Sequence, residues 1–240
     1  MPAPSRLPAW LRSPLFLAIV TAIAVALFVS AGNWQRGRLA QKEGMAAAWD
    51  RAQSMPAVPL PGGTVQWSDW LYRKVELRGT WLPEAQLLLD NRIRAGRTGF
   101  HVLTPMRLAD SRVVMVNRGF VAALPRRDQL PAVAVPGGEQ VVEGRVAMPP
   151  QRYLELGSGG AQGAVWQNLD TARMSHALGV SLLPIVVEAI GGPADGLARD
   201  WPRPDFGADT HRIYMGQWYA FAALAVILFA YFTLRRRVRR

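Results

Sequence analysis

Two runs of residues without a charge constrain this chain more than any other feature. Leu15–Gly32, LFLAIVTAIAVALFVSAG, has 18 residues. As a helix it reaches roughly 27 Å, about the depth of a bilayer's hydrocarbon core. Tyr214–Leu234, YMGQWYAFAALAVILFAYFTL, has 21 residues. Inside a bilayer the backbone must satisfy its own polar groups, so such runs cross it as helices. Aromatic residues mark their ends, as at a membrane interface: Trp34 follows the first run, Tyr214, Trp218 and Tyr219 open the second, and Tyr231 and Phe232 close it. A cleavable signal peptide competes for the first run, with Val29-Ser30-Ala31 as its cleavage site. The run is longer than the usual apolar stretch of about 7–15 residues in such peptides. The second run ends at a basic tail and has no such competitor.

The charge divides along the same lines. The net charge is +11, and seven of the basic residues lie in two short tails: Arg6 and Arg12 before the first run, and Arg235, Arg236, Arg237, Arg239 and Arg240 after the second. Between Gln35 and Ile213, 21 basic residues face 17 acidic ones. A nucleic-acid binder would concentrate its charge on the folded domain, so no nucleic-acid partner is expected. Basic tails favour the cytoplasmic side. The expected organisation is a cytoplasmic basic tail (1–14), a first span (15–34), an extracytoplasmic domain (35–213), a second span (214–234) and a second cytoplasmic tail (235–240). In a bacterium this is an inner-membrane protein with both termini cytoplasmic, its main domain in the periplasm and membrane lipid around its spans. The absence of cysteine removes disulfides, zinc–thiolate sites and iron–sulfur ligation.

Gln35–Gln53 lacks proline and is rich in good helix formers, so it is expected to extend the first span as a helix. Met55–Gly63, MPAVPLPGG, reads as a linker. Strand patterns follow at Tyr72–Trp81, Gln86–Asp90, Phe100–Leu108, Arg112–Val121, Gln140–Ala147, Ala164–Leu169 and Leu183–Ile190. Asp170–Leu178 has helical spacing, with Asp170 as its cap. Pro193–Asp209 reads as a tether to the second span. The fold class is therefore an α+β membrane protein. Two transmembrane helices flank a β-rich domain, either an antiparallel sheet or a partly open barrel.

Few motifs carry chemistry. Gly157–Gly163 (GSGGAQG) lacks the lysine and spacing of a phosphate cradle and reads as a surface loop. Asn117-Arg118-Gly119 ends the strongest strand pattern. It reads either as a polar hot spot for a partner or as a bulge at Gly119 with Arg118 paired to a carboxylate. His101 and His176 read as ordinary strand and helix residues. His211 precedes Tyr214 by three residues and Trp218 by seven, which puts all three on one helix face at the outer mouth of the second span. An imidazole there fits a binding site for a planar ligand or an interfacial belt residue, and the spacing alone does not choose between them.

Taken in order, the motifs resemble those of the surfeit locus protein 1 family, assembly factors of cytochrome c oxidase. Gly32-Asn33-Trp34-Gln35 with Arg38 and Lys42 resembles the family's exit from its first span. Tyr72-Arg73 and Gly79-Thr80-Trp81 resemble its first strand. Gly99–Pro105 (GFHVLTP) and Val116–Val121 (VNRGFV) resemble two internal signatures, the latter with Phe120 where the family has Trp. His211, Tyr214 and Trp218 resemble the start of its second span, with Thr210 in place of an Asn. The resemblance implies a non-catalytic biogenesis factor that handles haem a for oxidase subunit I, with haem a synthase as a possible further partner. It implies His211 as the ligand of the haem iron, flanked by Tyr214 and Trp218. Gly32, Trp34, Gln35, Arg38, Asn117, Arg118 and Gly119 stand as structural or partner motifs. The competing classes are a scaffold that docks oxidase subunits without haem, and a periplasmic hydrolase for which no nucleophile–base spacing is visible. Copper delivery is weaker still, because soft ligands are missing.

Overall fold

The computed structural model describes residues 13–63, 65–126, 129–149, 161–192 and 195–238. The expected N-terminal tail up to residue 12, the last two residues of the C-terminal tail, most of the 157–163 loop and residues 193–194 of the expected tether lie outside these. The chain divides into two compact units, one formed by Met1–Ala48 with Pro204–Arg240 and the other by Trp49–Arg203.

The first unit holds two long helices, α1 (Pro14–Ser54) and α3 (Ala208–Val238). Both are long and apolar enough to cross a membrane, and only 6% of each apolar window is buried, so neither is the core helix of a soluble domain. The expected extension of the first run is present, because α1 continues without a break through Gln35–Gln53. The last turn of α1 belongs to the second unit, where Trp49 and Ala52 are buried and Gln53 Nε2 donates to the Tyr72 carbonyl. Helix α3 starts six residues before the expected second span.

The second unit is a barrel with additions. Its strands are β1 (Val58–Pro59), β2 (Lys74–Trp81), β3 (Leu87–Arg94), β4 (Arg97–Leu108), β5 (Val113–Ala122), β6 (Glu139–Ala147), β7 (Ala161–Gln162), β8 (Val165–Trp166) and β9 (Leu182–Ala189). Five of them close on themselves in the order β2–β6–β9–β5–β4, with β4 returning to β2 at Gly79–Leu108 and Trp81–Met106. All neighbours in the ring are antiparallel except β5 and β9, which run parallel. This is a five-stranded Greek-key barrel of the OB type, fully closed where the sequence allowed an open sheet or a partly open barrel. Closure leaves these strands no free edge.

Alternation in the sequence explains the ring. In β2, Val75, Leu77 and Trp81 are buried and Glu76 and Arg78 are exposed, the period-two pattern of a strand with one face inward. Together with Met106, Val114, Val116, Val146, Ile185 and Val187 they fill the barrel. Each such side chain contributes about 1.5–3 kcal/mol when fully buried. A second cluster, Leu87, Leu89, Leu103, Met115, Trp166 and Val186, packs outside the ring against Met174 of α2 (Thr171–Leu178). Asp170 caps α2 as expected, accepting from the amides of Ala172 and Arg173, and Gly179 ends the helix in the left-handed region.

Two expectations are corrected. The proline-rich linker holds β1, which pairs in parallel with β2, and Leu60 N–H donates to the Glu76 carbonyl. Residues 195–201 of the expected tether form a strap fixed to the barrel, and its last two residues, Ala208 and Asp209, already belong to α3. Phe120 and Ala198 exchange both backbone hydrogen bonds, Leu197 is buried, and Trp201 Nε1 donates to the Ala189 carbonyl at 2.7 Å. Proline and glycine composition signals where regular structure stops, but it does not reveal long-range pairing by the backbone in between.

Candidate functional site

The residues singled out by sequence fall into two places. The first lies within the helical unit, where α1 leaves its apolar run and α3 begins. Gln35 is buried, and its Oε1 lies 2.6 Å from His211 Nδ1. These two residues are 176 positions apart. Two residues earlier on α1, Asn33 Oδ1 accepts a hydrogen bond from the Tyr219 hydroxyl at 2.9 Å. The Tyr219 ring lies against Gly32, where a Cβ would come within 2.6 Å of the ring carbon Cε1. Glycine is thus required by the close approach of the two helices. Deeper in the apolar layer, Phe28 stacks on Trp218 with ring centroids 5.9 Å apart, and Trp218 meets Phe221 edge-on. On the aqueous side, Arg212 pairs with Glu43 at 2.8 Å and with Asp209.

His211 and Trp218 therefore lie on the packed side of α3, together with Tyr219. Tyr214 is 49% exposed, although it shares the expected spacing. The packed stripe runs His211, Met215, Trp218, Tyr219 and Ala222, the ordinary steps of four and three along a helix. Trp34 is exposed, and Arg38 lies over its ring at 5.7 Å while donating to Gln41 Oε1. The importance of Tyr219 was visible in principle, since it lies eight residues from His211, two turns along the same stripe. The pairing of His211 with Gln35 left no signal, because nothing in one sequence couples positions so far apart.

In chemical terms this mouth offers one imidazole. Its Nδ1 is engaged by Gln35, and its Nε2 makes no hydrogen bond to the described residues. A neutral imidazole with one engaged and one available nitrogen is an ordinary ligand for haem iron. No group of three or more His, Asp or Glu side chains converges among the described residues, so a multidentate metal site is not built there.

The second place is the barrel wall at Asn117-Arg118-Gly119. The register shifts as Val102 faces Gly119 and Leu103 faces Asn117, so Arg118 is the extra residue of a β-bulge. The three lie inside β5, not at a strand end as the pattern suggested. Gly119 has φ +142°, and a Cβ there would lie 2.7 Å from the Ala198 carbonyl oxygen in the strap. Arg118, 2% exposed, donates to Asp195 Oδ2 at 3.0 Å, the Ala134 carbonyl at 2.9 Å and Gln86 Oε1 at 3.1 Å, with its guanidinium over the Trp81 ring. Burial pushes the Asp195 carboxyl up, but hydrogen bonds from Arg199, the Leu197 amide and Arg118, together with the Arg199 charge, hold it below its ordinary value. Asn117 Nδ2 faces His101 Nδ1 at 3.2 Å, and Trp201 meets the His101 ring edge-on at 5.2 Å. Burial, helped by the Arg92 charge, lowers the His101 imidazole from 6.5 to about 4, so it stays neutral. His176 is exposed on α2. The Arg118 and Asp195 contacts knit the strap to the barrel, while two buried polar atoms of this wall, Asn117 Oδ1 and Trp81 Nε1, find no hydrogen-bond partner among the described residues.

Comparison with known proteins gives a consistent result. The model of the SURF1 family matches residues 22–223. The chain is similar to the Surfeit locus protein 1 of Takifugu rubripes, 26% identical over 249 residues that cover 93% of this chain and 98% of that protein. It is 26% identical to a SURF1-like protein of Rickettsia felis over 177 residues, covering 72% and 75% of the two chains. It is also 26% identical to the cytochrome oxidase assembly protein SHY1 of Saccharomyces cerevisiae over 167 residues, 66% of this chain and 42% of that one.

Proposed function

Since the chain belongs to the SURF1 family, we propose that it is a membrane-anchored assembly factor for cytochrome c oxidase, which handles haem a on its way to subunit I and catalyses no reaction itself. The first part of this reading is supported by the yeast relative, which is named as an oxidase assembly protein. The haem part rests on one observation: His211 at the mouth of two apolar helices, with one ring nitrogen engaged by Gln35 and the other available. Haem a is an apolar ring with a long farnesyl tail. A mouth of this kind would hold the tail in lipid and leave the iron near water, with Trp218 beside the ring.

The basic tails support an inner-membrane arrangement with both termini in the cytoplasm and the barrel in the periplasm. A reporter active only in the periplasm should then be silent after Arg240 and active when inserted near Gly160. The reverse pattern would refute this orientation.

The central experiment is a haem spectrum of the full chain purified after co-production with haem a synthase. Wild-type protein should carry haem a. His211→Ala should lose it while remaining folded in the membrane, and His176→Ala should not. Wild-type protein that binds oxidase subunits without haem would make the chain a scaffold. Full haem content in His211→Ala would overturn the ligand assignment.

A further inference from the structure

Among the described residues the His211 ring makes one polar contact, and it sets which nitrogen the ring offers. Gln35 turns its Oε1, an acceptor, to within 2.6 Å of Nδ1, and this contact is a hydrogen bond when Nδ1 carries the proton. A neutral imidazole has one proton, and Nε2 is then left as the lone-pair nitrogen. We propose that Gln35 is a positioning residue that holds His211 in the Nδ1–H tautomer, so that Nε2 is the nitrogen presented to a metal. The presentation to iron rests on the haem reading above, whereas the tautomer does not.

Three observations carry this. Gln35 is 9% exposed, so its amide is shielded from water that would otherwise compete for Nδ1. It stands on an uninterrupted helix, between the Gly32–Tyr219 contact and buried Leu39, so its backbone is held on both sides. The ring side of the pair is fixed as well: Arg212, the next residue of α3, is tied to Glu43 two turns further along α1. Histidine free in water places its proton mainly on Nε2, the opposite of what this pair requires, so the protein must supply the bias. Outer partners that orient a metal-bound histidine in this way fix its tautomer and raise its basicity, and removing them typically costs about 10–100-fold in metal affinity.

The test uses the full chain in lipid nanodiscs with ring-¹⁵N-labelled histidine and no haem. With only three histidines in the chain, the His211 signals are assigned by their loss in His211→Ala. Wild-type protein should show Nδ1 protonated and Nε2 bare. Gln35→Glu keeps an acceptor and has no NH₂ to present in reverse, so it should give the same tautomer. Gln35→Leu, which preserves helix propensity and bulk, should shift the proton to Nε2. A haem a titration of the same proteins should find binding about 10-fold or more weaker in Gln35→Leu and retained in Gln35→Glu. Wild-type His211 protonated at Nε2, or a tautomer indifferent to Gln35→Leu, would overturn the inference even if haem binds normally. The expected tautomer shift with no haem bound by wild type would keep the positioning role and overturn the haem reading.

Discussion

Arg118 and Asp195, 77 residues apart, meet as an ion pair at 3.0 Å in which the guanidinium side chain is 3% exposed and the carboxylate 14%. The pair joins the bulge of β5 to the strap that follows β9. Arg199 reaches the same carboxylate at 2.6 Å. One acid thus serves two arginines, and its loss leaves a buried cation with its main partner gone.

Removing one member of a buried pair costs about 3–5 kcal/mol, because the survivor stays charged and unpaired. Asp195→Ala should therefore lower the unfolding free energy of the barrel by about 2–4 kcal/mol, somewhat less than the full range because Ala134 and Gln86 still accept from Arg118. Adding Arg118→Leu to Asp195→Ala should cost less than the two single changes added together. Urea unfolding followed by tryptophan emission measures both, and simple additivity would show that the pair is not coupled.

His101 supplies a pH dependence. Its folded value of about 4 lies below its ordinary 6.5, so the unfolded chain takes up the proton first. The corresponding stability is fully present above pH 6.5 and is lost as pH falls from 6.5 towards 4. Discounted for partial exposure, the loss is roughly 1–2 kcal/mol. His101→Gln should flatten stability across this window, and a wild-type curve already flat there would contradict the cause assigned to the shift.

At Gly119 the strap and the bulge approach too closely for any side chain. Gly119→Ala should destabilise the barrel by about 1–3 kcal/mol, and Gly119→Glu by more, through the positive φ and the clash with the Ala198 carbonyl. Thermal unfolding checks this, and in cells the protein's abundance should fall with oxidase levels. Normal abundance with reduced oxidase would instead mark this wall as a partner contact.

Gly32 should matter although it offers no ligand. Gly32→Val must displace the Tyr219 ring and with it the hydrogen bond to Asn33. The expected result is haem a loading reduced several-fold in a protein that still inserts in the membrane. Tyr214→Ala, at an exposed position, should reduce loading less than Trp218→Ala. Equal loss in both would place Tyr214 in the site despite its exposure.

Much of this architecture was legible because its signals are local. An unbroken, proline-free stretch announced the extension of α1, alternation announced β2, a valine-rich run announced β5, which is buried from Val113 to Phe120, and Asp170 announced the cap of α2. The glycine after Asn117-Arg118 suggested a bulge, although the motif lies within β5 and not at its end. What stayed hidden depends on pairing at a distance. Val58-Pro59 looks like linker until β2 is beside it, and Asp195, Ala198 and Trp201 look like tether until β5 and Ala189 are in place. The spacing of His211 and Trp218 suggested a face, but one helix alone does not reveal that Gln35 and Asn33 meet it from α1.

The parallel pairing of β5 with β9 also bears on how the molecule is made. β9 is the last strand synthesised, yet it sits between β5, which ends at Ala122, and β6, which ends at Ala147, well before β9 begins at Leu182. Until Leu182–Ala189 has emerged, those two strands each carry an open ladder of amides and carbonyls, and the apolar lining has nothing to close upon. Contacts this distant in sequence form slowly. The nascent chain must therefore spend its synthesis as an unclosed sheet, prone to mispairing, and the strap that locks the finished ring is nearly the last piece produced before α3 begins.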